Sequence, residues 1–332
     1  MGRILVTGAT GFVGSHTAER CLKAGHTVVT VARASSDTRL LEQLGVEIIR
    51  GDLNDPAVVQ KAMNGVTAVV HCAAKVGDWG PVDDYRQVNV GSLALLLEEA
   101  RKTKPRFVHV SSLGVYEARD HHKTDETVAP PKRHMDGYTQ TKVEAEDVAM
   151  GYYRNHGVPI VILRPGFVYG PRDRTVLPRM MDALQRGIVR YIGDKNKVMN
   201  TIYVGNLVDA IILALEKPEA VGQIFNLTDD EDVTKQRFME TIADAAGLPK
   251  PTKTVPLGLA KFLARILERI ARWRGAKQAP RVTSARIKLL GLNLSFSCEK
   301  AKKVLGYKPK VLFAQGMPEA VEWLQKDKHA QA

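Results

Sequence analysis

Three glycines near the start of the chain stand between a short apolar run and a helical pattern. Residues 3–6 have the character of a buried strand, and residues 12–24 have apolar side chains at helical spacing. Between them, Gly8 permits a tight turn, Gly11 lets the backbone approach a phosphate, and Gly14 allows close helix packing. This order predicts the first unit of a parallel sheet, with the pyrophosphate of a dinucleotide at the N-terminus of the helix.

The same alternation continues through the first half of the chain. Short apolar runs alternate with helical patterns, which is typical of βαβ units and predicts an α/β, doubly wound parallel sheet with its ligand at the carboxyl ends of the strands. Further strands are predicted at 27–32, 47–49, 68–70, 107–110 and 160–163. Further helices are predicted at 38–44, 57–63, 82–102 and 136–155.

The pattern changes after residue 170, where longer loops, prolines and isolated helices follow one another. We therefore expect a dinucleotide-binding domain over 1–170 and a smaller, interwoven C-terminal substrate-binding lobe over 171–332. Residues 200–227 are expected to return to the first sheet, because they contain two further strand patterns. These patterns lie at 201–204 and 223–227.

Composition excludes several classes of protein. The formal net charge is +12, but the Lys and Arg residues are spread along the chain without a nucleic-acid-binding motif, so no nucleic-acid partner is expected. The three cysteines are widely separated, which argues against disulfides and favours a reducing cytoplasm. No apolar run is long enough to span a bilayer, and the N-terminus has no signal-peptide pattern. The nine histidines have no metal-ligand spacing, so no metal is expected, and His121 and His122 are expected in a solvated, charged loop.

The residues that follow the second strand bear on which dinucleotide binds. An acidic residue at this turn accepts hydrogen bonds from the ribose hydroxyls of NAD, whereas an arginine pairs with the 2′-phosphate of NADP. The chain offers Arg33, Ser35 and Ser36, and then Arg39. NADP is therefore expected in preference to NAD, with Asp37 as the residue that would reverse the preference by reaching the ribose.

Tyr138 and Lys142 are four residues apart in a predicted helix and therefore project from the same face. A phenol normally has a pKa of about 10, and a nearby ammonium together with the positive nicotinamide ring is expected to lower it. Tyr138 can then act as general acid and base while hydride moves to or from the nicotinamide, and Lys142 can hold a ribose hydroxyl. A hydroxyl donor to the substrate oxygen is expected from Ser111 or Ser112, at the carboxyl end of a predicted strand.

The chain resembles an extended short-chain dehydrogenase/reductase over nearly its whole length. The matching segments are 7–14, 51–53, 71–74, 111–116, 138–142 and 163–166. The resemblance implies a Rossmann-type fold and selects Ser112 as the active hydroxyl, because it stands four residues before Tyr116. It also implies that Asn89 belongs to the catalytic set as a support of the active site. Together with the residue patterns described above, the resemblance gives the set expected to bind the cofactor: Gly8, Thr10, Gly11, Phe12, Val13, Gly14, Arg33, Ser35, Asp52, Leu53, Ala73, Ala74, Lys75, Tyr138, Lys142, Pro165 and Val168.

A narrower resemblance is to the 3β-hydroxysteroid dehydrogenase branch of this family. It rests on residues 74–80, 170–173, 177–179, 193–197, 203–206 and 297–307. Members of the branch include sterol 4-carboxylate 3-dehydrogenases and 2-alkyl-3-oxoalkanoate reductases, and the family implies a homodimer. Trp79 is a candidate contact for the substrate, and Arg172 or Arg179 is a candidate to receive a substrate carboxylate.

Residues 256–274 bear on the class of substrate. Their apolar side chains recur at helical spacing, and basic side chains occupy much of the remaining surface. Three interpretations stay open: a helix packed on the core of its own lobe, a lid over an apolar substrate, and a peripheral membrane contact on anionic headgroups. The apolar residues are Phe262, Leu263, Ile266, Leu267, Ile270 and Trp273, and the basic residues are Lys261, Arg265, Arg269 and Arg272.

The sequence therefore predicts an NAD(P)-dependent oxidoreductase that interconverts a secondary alcohol and a ketone on a bulky apolar small molecule, such as a sterol or a 2-alkyl-3-oxo acid. Within the same fold, the alternative is a nucleotide-sugar epimerase or dehydratase, which keeps its cofactor bound and needs a polar pocket. From another class, the alternative is a non-catalytic protein that senses the dinucleotide or serves as a membrane scaffold.

Overall fold

A parallel sheet of seven strands lies at the centre of the molecule. The computed structural model describes residues 2–331, and the side chains of residues 2–327. The strands of the whole molecule, inside and outside the central sheet, are in chain order β1 (Arg3–Thr7), β2 (Thr27–Ala32), β3 (Glu47–Arg50), β4 (Ala68–His71), β5 (Arg106–Val110), β6 (His121–Thr124), β7 (Ile160–Pro165), β8 (Phe167–Tyr169), β9 (Tyr191–Ile192), β10 (Val198–Met199), β11 (Thr201–Tyr203), β12 (Gln223–Leu227), β13 (Val233–Thr234), β14 (Thr254–Val255) and β15 (Leu294–Phe296). The order within the central sheet is β3, β2, β1, β4, β5, β7 and β12, and all neighbouring pairs are parallel. Because the order reverses between β1 and β4, the carboxyl ends of these two strands border the crevice in which Rossmann-type sheets bind their ligands.

Helices cover both faces of this sheet. In chain order they are α1 (Phe12–Lys23), α2 (Arg39–Gln43), α3 (Pro56–Met63), α4 (Val82–Arg86), α5 (Ser92–Thr103), α6 (Gly137–His156), α7 (Leu177–Gln185), α8 (Val204–Glu216), α9 (Lys235–Ala246), α10 (Leu257–Trp273), α11 (Ser284–Gly291), α12 (Glu299–Leu305) and α13 (Phe313–Gln331). One face packs on α1, α8 and α12, and the other on α3, α5 and α6. Successive strand residues alternate between the two layers, as Ile4 and Leu5 do, so the strands are apolar on both faces. The expectation of an α/β, doubly wound parallel sheet of the Rossmann type is confirmed.

A second hydrophobic core lies among α7, α9 and α13, outside the central sheet. The ring of Phe313 is buried there, with its centroid 5.4 Å from that of Tyr169 and 5.6 Å from that of Phe238. The chain passes back and forth between the two cores, because β12 pairs with β7 and β15 pairs with β6 from the first half. A domain boundary at residue 170 stays a prediction.

Two predicted elements differ from the structure. The predicted strand at 201–204 forms β11, which ends at Tyr203 and pairs with β8, and Val204 already begins α8. The single helix predicted at 82–102 is interrupted by a π-helical turn over Gln87–Gly91. The wider turn shifts the side chains that follow it and places Asn89 in the interior, where it is buried.

The environment of His121 also differs from the prediction of a solvated loop. His121 begins β6 and is buried, and the centroid of its ring lies 4.6 Å from that of Phe296 in β15. His122, the next residue, is exposed. The alternation of a strand explains the difference, since successive side chains point to opposite faces.

The structure excludes one interpretation of residues 256–274. The residues of α10 that are buried against the protein are Ala260 and Ala264, and the large apolar side chains are exposed. The interpretation of a helix packed on its own core through its apolar stripe is therefore wrong.

A buried ion pair joins α6 to the central sheet. An oxygen of the Glu146 carboxylate lies 2.5 Å from a terminal nitrogen of Arg164 in β7, and both side chains are almost fully buried. The hydroxyl of Ser111, directly after β5, donates to the same carboxylate at 2.5 Å, and Arg164 donates to the hydroxyl of Tyr116 at 2.9 Å. One carboxylate therefore connects α6 with the ends of two neighbouring strands.

We predict that Glu146→Ala destabilises the fold by about 3–5 kcal/mol, because it leaves the guanidinium of Arg164 buried without its charge partner. The free energy of unfolding in urea measures the effect. The matched control is Glu144→Ala on the same helix, whose solvent-accessible pair with Arg86 contributes at most about 1 kcal/mol. Equal losses from the two variants would contradict the role assigned to the buried pair.

Candidate active site

The glycine turn after β1 leaves no room for side chains. Gly8 has a left-handed backbone with a φ of 69°, and a Cβ atom there would lie 2.8 Å from the nitrogen of Ala73, beyond the end of β4. A Cβ atom at Gly14 would lie 2.2 Å from the carbonyl oxygen of Gly8, so α1 packs directly on the turn. Gly11 precedes α1, and no side chain caps the first turn of the helix. The open turn and the free N–H groups fit the pyrophosphate of a dinucleotide, with Thr10, Phe12 and Val13 around them.

The end of β4 is tied to the end of β1. The hydroxyl of Thr7 lies 2.8 Å from Nδ1 of His71 and accepts a hydrogen bond of 3.2 Å from the backbone N–H of Ala73. Burial lowers the pKa of His71 to about 3, so its ring is neutral. These contacts hold Ala73 and the following Ala74 beside the glycine turn, and their role in lining the cofactor stays a prediction.

The turn after β2 presents Arg33 and Ser35 to solvent. Among the described residues, the Arg33 side chain has no hydrogen bond or ion pair. Asp37 is occupied, because Arg39 donates two side-chain hydrogen bonds to it at 3.0 and 2.7 Å, and these bonds hold the pKa of the carboxyl below its usual value. A free guanidinium beside an occupied carboxylate is suited to bind a phosphate rather than a ribose hydroxyl.

The remaining predicted cofactor residues lie at the ends of β3 and β7. Asp52 follows β3, is exposed, and accepts hydrogen bonds of 2.9 Å from the backbone and the side chain of Asn54, while Leu53 packs on the core beside it. Pro165 is the last residue of β7, and Val168 lies in β8. A ligand that reaches from Asp52 to Pro165 therefore crosses the carboxyl edge of most of the sheet.

Asn89 connects the loop after β4 to α6. Its side-chain oxygen accepts from the backbone N–H of Lys75 at 2.7 Å, and its side-chain nitrogen donates to the carbonyl of Lys75 at 3.1 Å and to the hydroxyl of Thr141 at 3.0 Å. Asn89 is buried, so it acts as a positioning residue for the helix that carries Tyr138 and Lys142.

The two candidate serines face different environments. Ser111 is buried and donates to Glu146, so it belongs to the ion-pair network beneath the site. Ser112 accepts a hydrogen bond of 3.0 Å from the backbone N–H of Gly114 and lies close enough to the phenol of Tyr138 to lower its pKa. The geometry therefore favours Ser112, as the resemblance did.

Tyr138 and Lys142 lie on successive turns of α6. The ammonium of Lys142 is buried and donates to the carbonyl oxygen of Val110, the last residue of β5, at 2.8 Å. The same nitrogen lies 6.0 Å from the centroid of the Tyr138 ring. The structure thus brings Ser112, Tyr138 and Lys142 together at the carboxyl end of β5.

The acidity of Tyr138 differs from the expectation. Burial raises its pKa to about 12, and the hydrogen bond with Ser112 offsets only part of this shift. Burial also lowers the pKa of Lys142 to about 8. In the protein alone the phenol pKa is therefore raised, because burial prevails and the ammonium of Lys142 is turned toward the backbone; the lowering expected from a positive nicotinamide stays a prediction.

The three candidate substrate residues lie in different settings. The indole nitrogen of Trp79 donates to the carbonyl of Ala276 at 2.8 Å. Arg172 forms an ion pair of 2.5 Å with Glu19 of α1; burial alone would raise the pKa of Glu19, but Lys23 and Arg172 lower it to about 2. Arg179, in α7, is exposed and has no ion pair within the described part of the chain.

Sequence analysis missed two residues that hold the site. The ammonium of Lys288 donates to the carbonyls of Gly114 and Tyr116, both at 2.6 Å, in the loop that begins with Ser112. No local pattern pointed to it, since Lys288 lies 174 residues after Gly114. Glu146 was detectable, because it continues the four-residue spacing of Tyr138 and Lys142 on one face of α6.

The structure also bears on metals, disulfides and membrane spans. Among the described side chains, those of residues 2–327, no group of His, Cys, Asp and Glu is arranged as a metal site. Cys21, Cys72 and Cys298 are unpaired. None of the described helices combines the length and the apolar character needed to cross a bilayer.

This arrangement defines an enzyme of the dehydrogenase and reductase class, which acts on a CH–OH group and uses a nicotinamide cofactor. The chain belongs to the NAD dependent epimerase/dehydratase family, whose model matches residues 4–228. Membership in this family of enzymes argues against the alternative of a non-catalytic protein that senses the dinucleotide or serves as a membrane scaffold.

Similar proteins extend over nearly the whole chain. A 2-alkyl-3-oxoalkanoate reductase of Shewanella oneidensis is 30% identical over 94% of this chain and 84% of its own length. A decarboxylating sterol-4-alpha-carboxylate 3-dehydrogenase of Candida albicans is 31% identical over 98% of each chain. The crystal structure of gox2253 matches 98% of this chain and 99% of its own, with a TM-score of 0.82 and 27% identity. The resemblance to the extended dehydrogenases and to their hydroxysteroid branch is confirmed.

We predict that Gly14→Ala destabilises the fold by about 1–3 kcal/mol and weakens dinucleotide binding, because the new methyl group would overlap the carbonyl of Gly8. Calorimetric titration with NADPH measures the affinity. Gly151→Ala in α6 is the matched control: a Cβ atom there meets nothing within 4 Å, so stability is expected to rise by about 0.5–1 kcal/mol. Wild-type affinity in the Gly14→Ala variant would contradict the role of the turn.

Proposed function

We propose that the chain is an NADP(H)-preferring oxidoreductase that interconverts a secondary alcohol and a ketone on a bulky apolar substrate. The proposal rests above all on the contact between Ser112 and Tyr138 at the carboxyl end of β5, with Lys142 one turn along α6. Two hydroxyls that meet at one point can bind a single substrate oxygen, and one of them can exchange a proton with it.

The proton moves between the phenol oxygen of Tyr138 and the substrate oxygen. The phenol is neutral at pH 7, so it can donate its proton to a ketone during reduction. The hydroxyl of Ser112 is oriented by the N–H of Gly114 and donates a second hydrogen bond to the same oxygen. A bound nicotinamide supplies or accepts the hydride. Lys142 holds a ribose hydroxyl from its buried position beside Val110.

The proposed substrate is apolar and carries a carboxylate close to the reacting carbon. The names of the two relatives, a 2-alkyl-3-oxoalkanoate reductase and a sterol-4-alpha-carboxylate 3-dehydrogenase, both describe such a molecule. Arg179 is the better candidate to receive the carboxylate, because Arg172 is already paired with Glu19. Oxidation of such a hydroxy acid yields a β-keto acid that can lose carbon dioxide, and the reverse direction reduces a 3-oxo acid to its hydroxy acid.

The preference for NADP rests on Arg33. Its guanidinium is free among the described residues, and Asp37, the rival group, is bound by Arg39. A reducing cytoplasm and a homodimer complete the proposal; the unpaired cysteines support the first, and the family resemblance supports the second.

A nucleotide-sugar epimerase is the second candidate, because the matching family is described as epimerases and dehydratases. Such an enzyme returns the hydride to the same substrate and keeps its cofactor. It would therefore bind dinucleotide tightly and show no net oxidation or reduction.

We predict that Tyr138→Phe lowers turnover by about 10²–10⁴-fold, because it removes the proton donor while it preserves the ring. The absorbance of reduced nicotinamide is followed with a 2-alkyl-3-oxo acid and NADPH, and with a 4-carboxysterol and oxidised cofactor. Tyr152→Phe on the same helix, whose hydroxyl meets Glu98, is the matched control and should leave turnover unchanged. If the wild type binds dinucleotide tightly but turns over neither substrate, the proposal fails and nucleotide sugars become the substrates to test.

We predict that Arg33→Ala weakens NADPH binding by about tenfold or more, because a charge-assisted contact with the 2′-phosphate is lost. NADH lacks this phosphate, so its affinity should stay near that of the wild type and serve as the internal control. The ratio of kcat/KM for the two cofactors measures the effect. Equal losses for both cofactors would contradict a phosphate contact.

A further inference from the structure

The large apolar side chains of α10 point away from the protein. The helix rests on the molecule through Ala260 and Ala264, which are buried, while the large apolar side chains of the same helix are exposed. A helix that packs on a globular protein usually buries its large apolar residues, and α10 does not. We call the exposed stripe the apolar face. Its members are Leu259, Phe262, Leu263, Ile266, Leu267, Ile270 and Trp273, the last of which is 84% exposed.

Basic side chains surround the apolar face. Between residues 257 and 281 the chain has seven Lys or Arg residues and a single acidic one, Glu268. The carboxylate of Glu268 is turned toward the protein, where it accepts from the backbone N–H and the hydroxyl of Ser284 at 2.6 and 2.9 Å. The charge exposed around the face is therefore positive. The basic residues, all exposed, are Lys261, Arg265, Arg269, Arg272, Arg274, Lys277 and Arg281.

An anionic lipid surface complements this arrangement. The apolar face can enter the boundary of the acyl chains while the basic side chains meet the phosphates of the headgroups. A tryptophan at the end of the face, Trp273, is suited to the same boundary. A second copy of the chain is a poor partner, because two apposed faces would bring the basic residues of both copies together.

The C-terminal end of α10 touches the rim of the candidate active site. The guanidinium of Arg272 lies 5.7 Å from the ring centre of Trp79, whose indole also binds the carbonyl of Ala276. The carbonyl of Trp79 accepts from the hydroxyl of Tyr85 at 2.7 Å. The ring of Tyr85 packs so closely on Gly137 that a Cβ atom there would lie 2.8 Å away. Two aromatic side chains therefore connect α10 with the first turn of α6, which carries the proposed acid.

We propose that α10 docks on an anionic membrane surface and holds the Trp79 loop, at the rim of the active site, against the lipid. An apolar substrate then enters from the bilayer without crossing water. Docking follows from the exposure and charge of α10, and only the entry of substrate rests on the proposed function.

Flotation of the full-length protein with vesicles tests docking in the absence of substrate. The protein should float with vesicles of phosphatidylcholine and phosphatidylglycerol, and less so at high salt or with phosphatidylcholine alone, because screening or loss of the anionic lipid removes the attraction. Phe262→Glu with Ile266→Glu should weaken binding at least about tenfold. Ile188→Glu is the matched control, since Ile188 is 56% exposed and Phe262 59%, and only Phe262 is in α10.

A second variant separates charge from apolar contact. Arg265→Glu with Arg269→Glu keeps the apolar face and should still weaken binding to the anionic vesicles about tenfold. All these side chains are exposed, so thermal unfolding should stay at the wild-type temperature.

Two results would overturn the docking proposal. One is a wild-type protein that does not float with the anionic vesicles. The other is a stable dimer in sedimentation that the Phe262→Glu/Ile266→Glu variant dissociates, because a second copy would then cover the face. The Tyr138→Phe variant should bind vesicles like the wild type, so loss of chemistry and loss of docking are distinct outcomes.

Discussion

The position of α6 depends on a row of buried polar contacts along one of its faces. Each contact joins the helix to a different part of the sheet or to the loop after β4. A buried polar group without a partner costs free energy, so the helix can satisfy all of them at only one height and rotation. That placement puts Tyr138 beside Ser112. The residues joined by these buried polar contacts are Thr141 and Asn89, Lys142 and Val110, and Glu146 and Arg164.

Parallel pairing explains why residues far apart in the chain meet at one edge. Neighbouring parallel strands end on the same side of the sheet, so the segments that follow β1, β4, β5 and β7 converge there. The close approach of Gly8 to Ala73 is possible only because neither the turn nor the strand end carries a bulky side chain. Parallel pairing thus places the glycine turn after β1 and the Ser112–Tyr138 pair after β5 at the same edge of the sheet.

The sequence predicted what local patterns control. The glycine turn and the spacing of Tyr138 and Lys142 lie within single βα units, so their geometry follows from the neighbouring residues. The contact of Lys288 with Gly114 joins residues that are 174 apart, and no local pattern encodes it. For α10 the periodicity revealed two faces but not which one meets the protein, because both orientations have the same period. Ala260 and Ala264, which make the contact, gave no signal of their own.

The direction of the pKa shift of Tyr138 is another property that local sequence patterns do not encode. It also bears on the reaction. Spacing places an ammonium one turn from the phenol, but the sign depends on how much water burial removes, and here burial prevails. At neutral pH the phenol is protonated with or without this shift, and the protonated form is the one that donates a proton to a ketone during reduction. Oxidation of an alcohol needs the phenolate, which a positive nicotinamide would stabilise strongly in a space of low dielectric. Because burial opposes the phenolate, oxidation depends more than reduction on the charge of the oxidised cofactor.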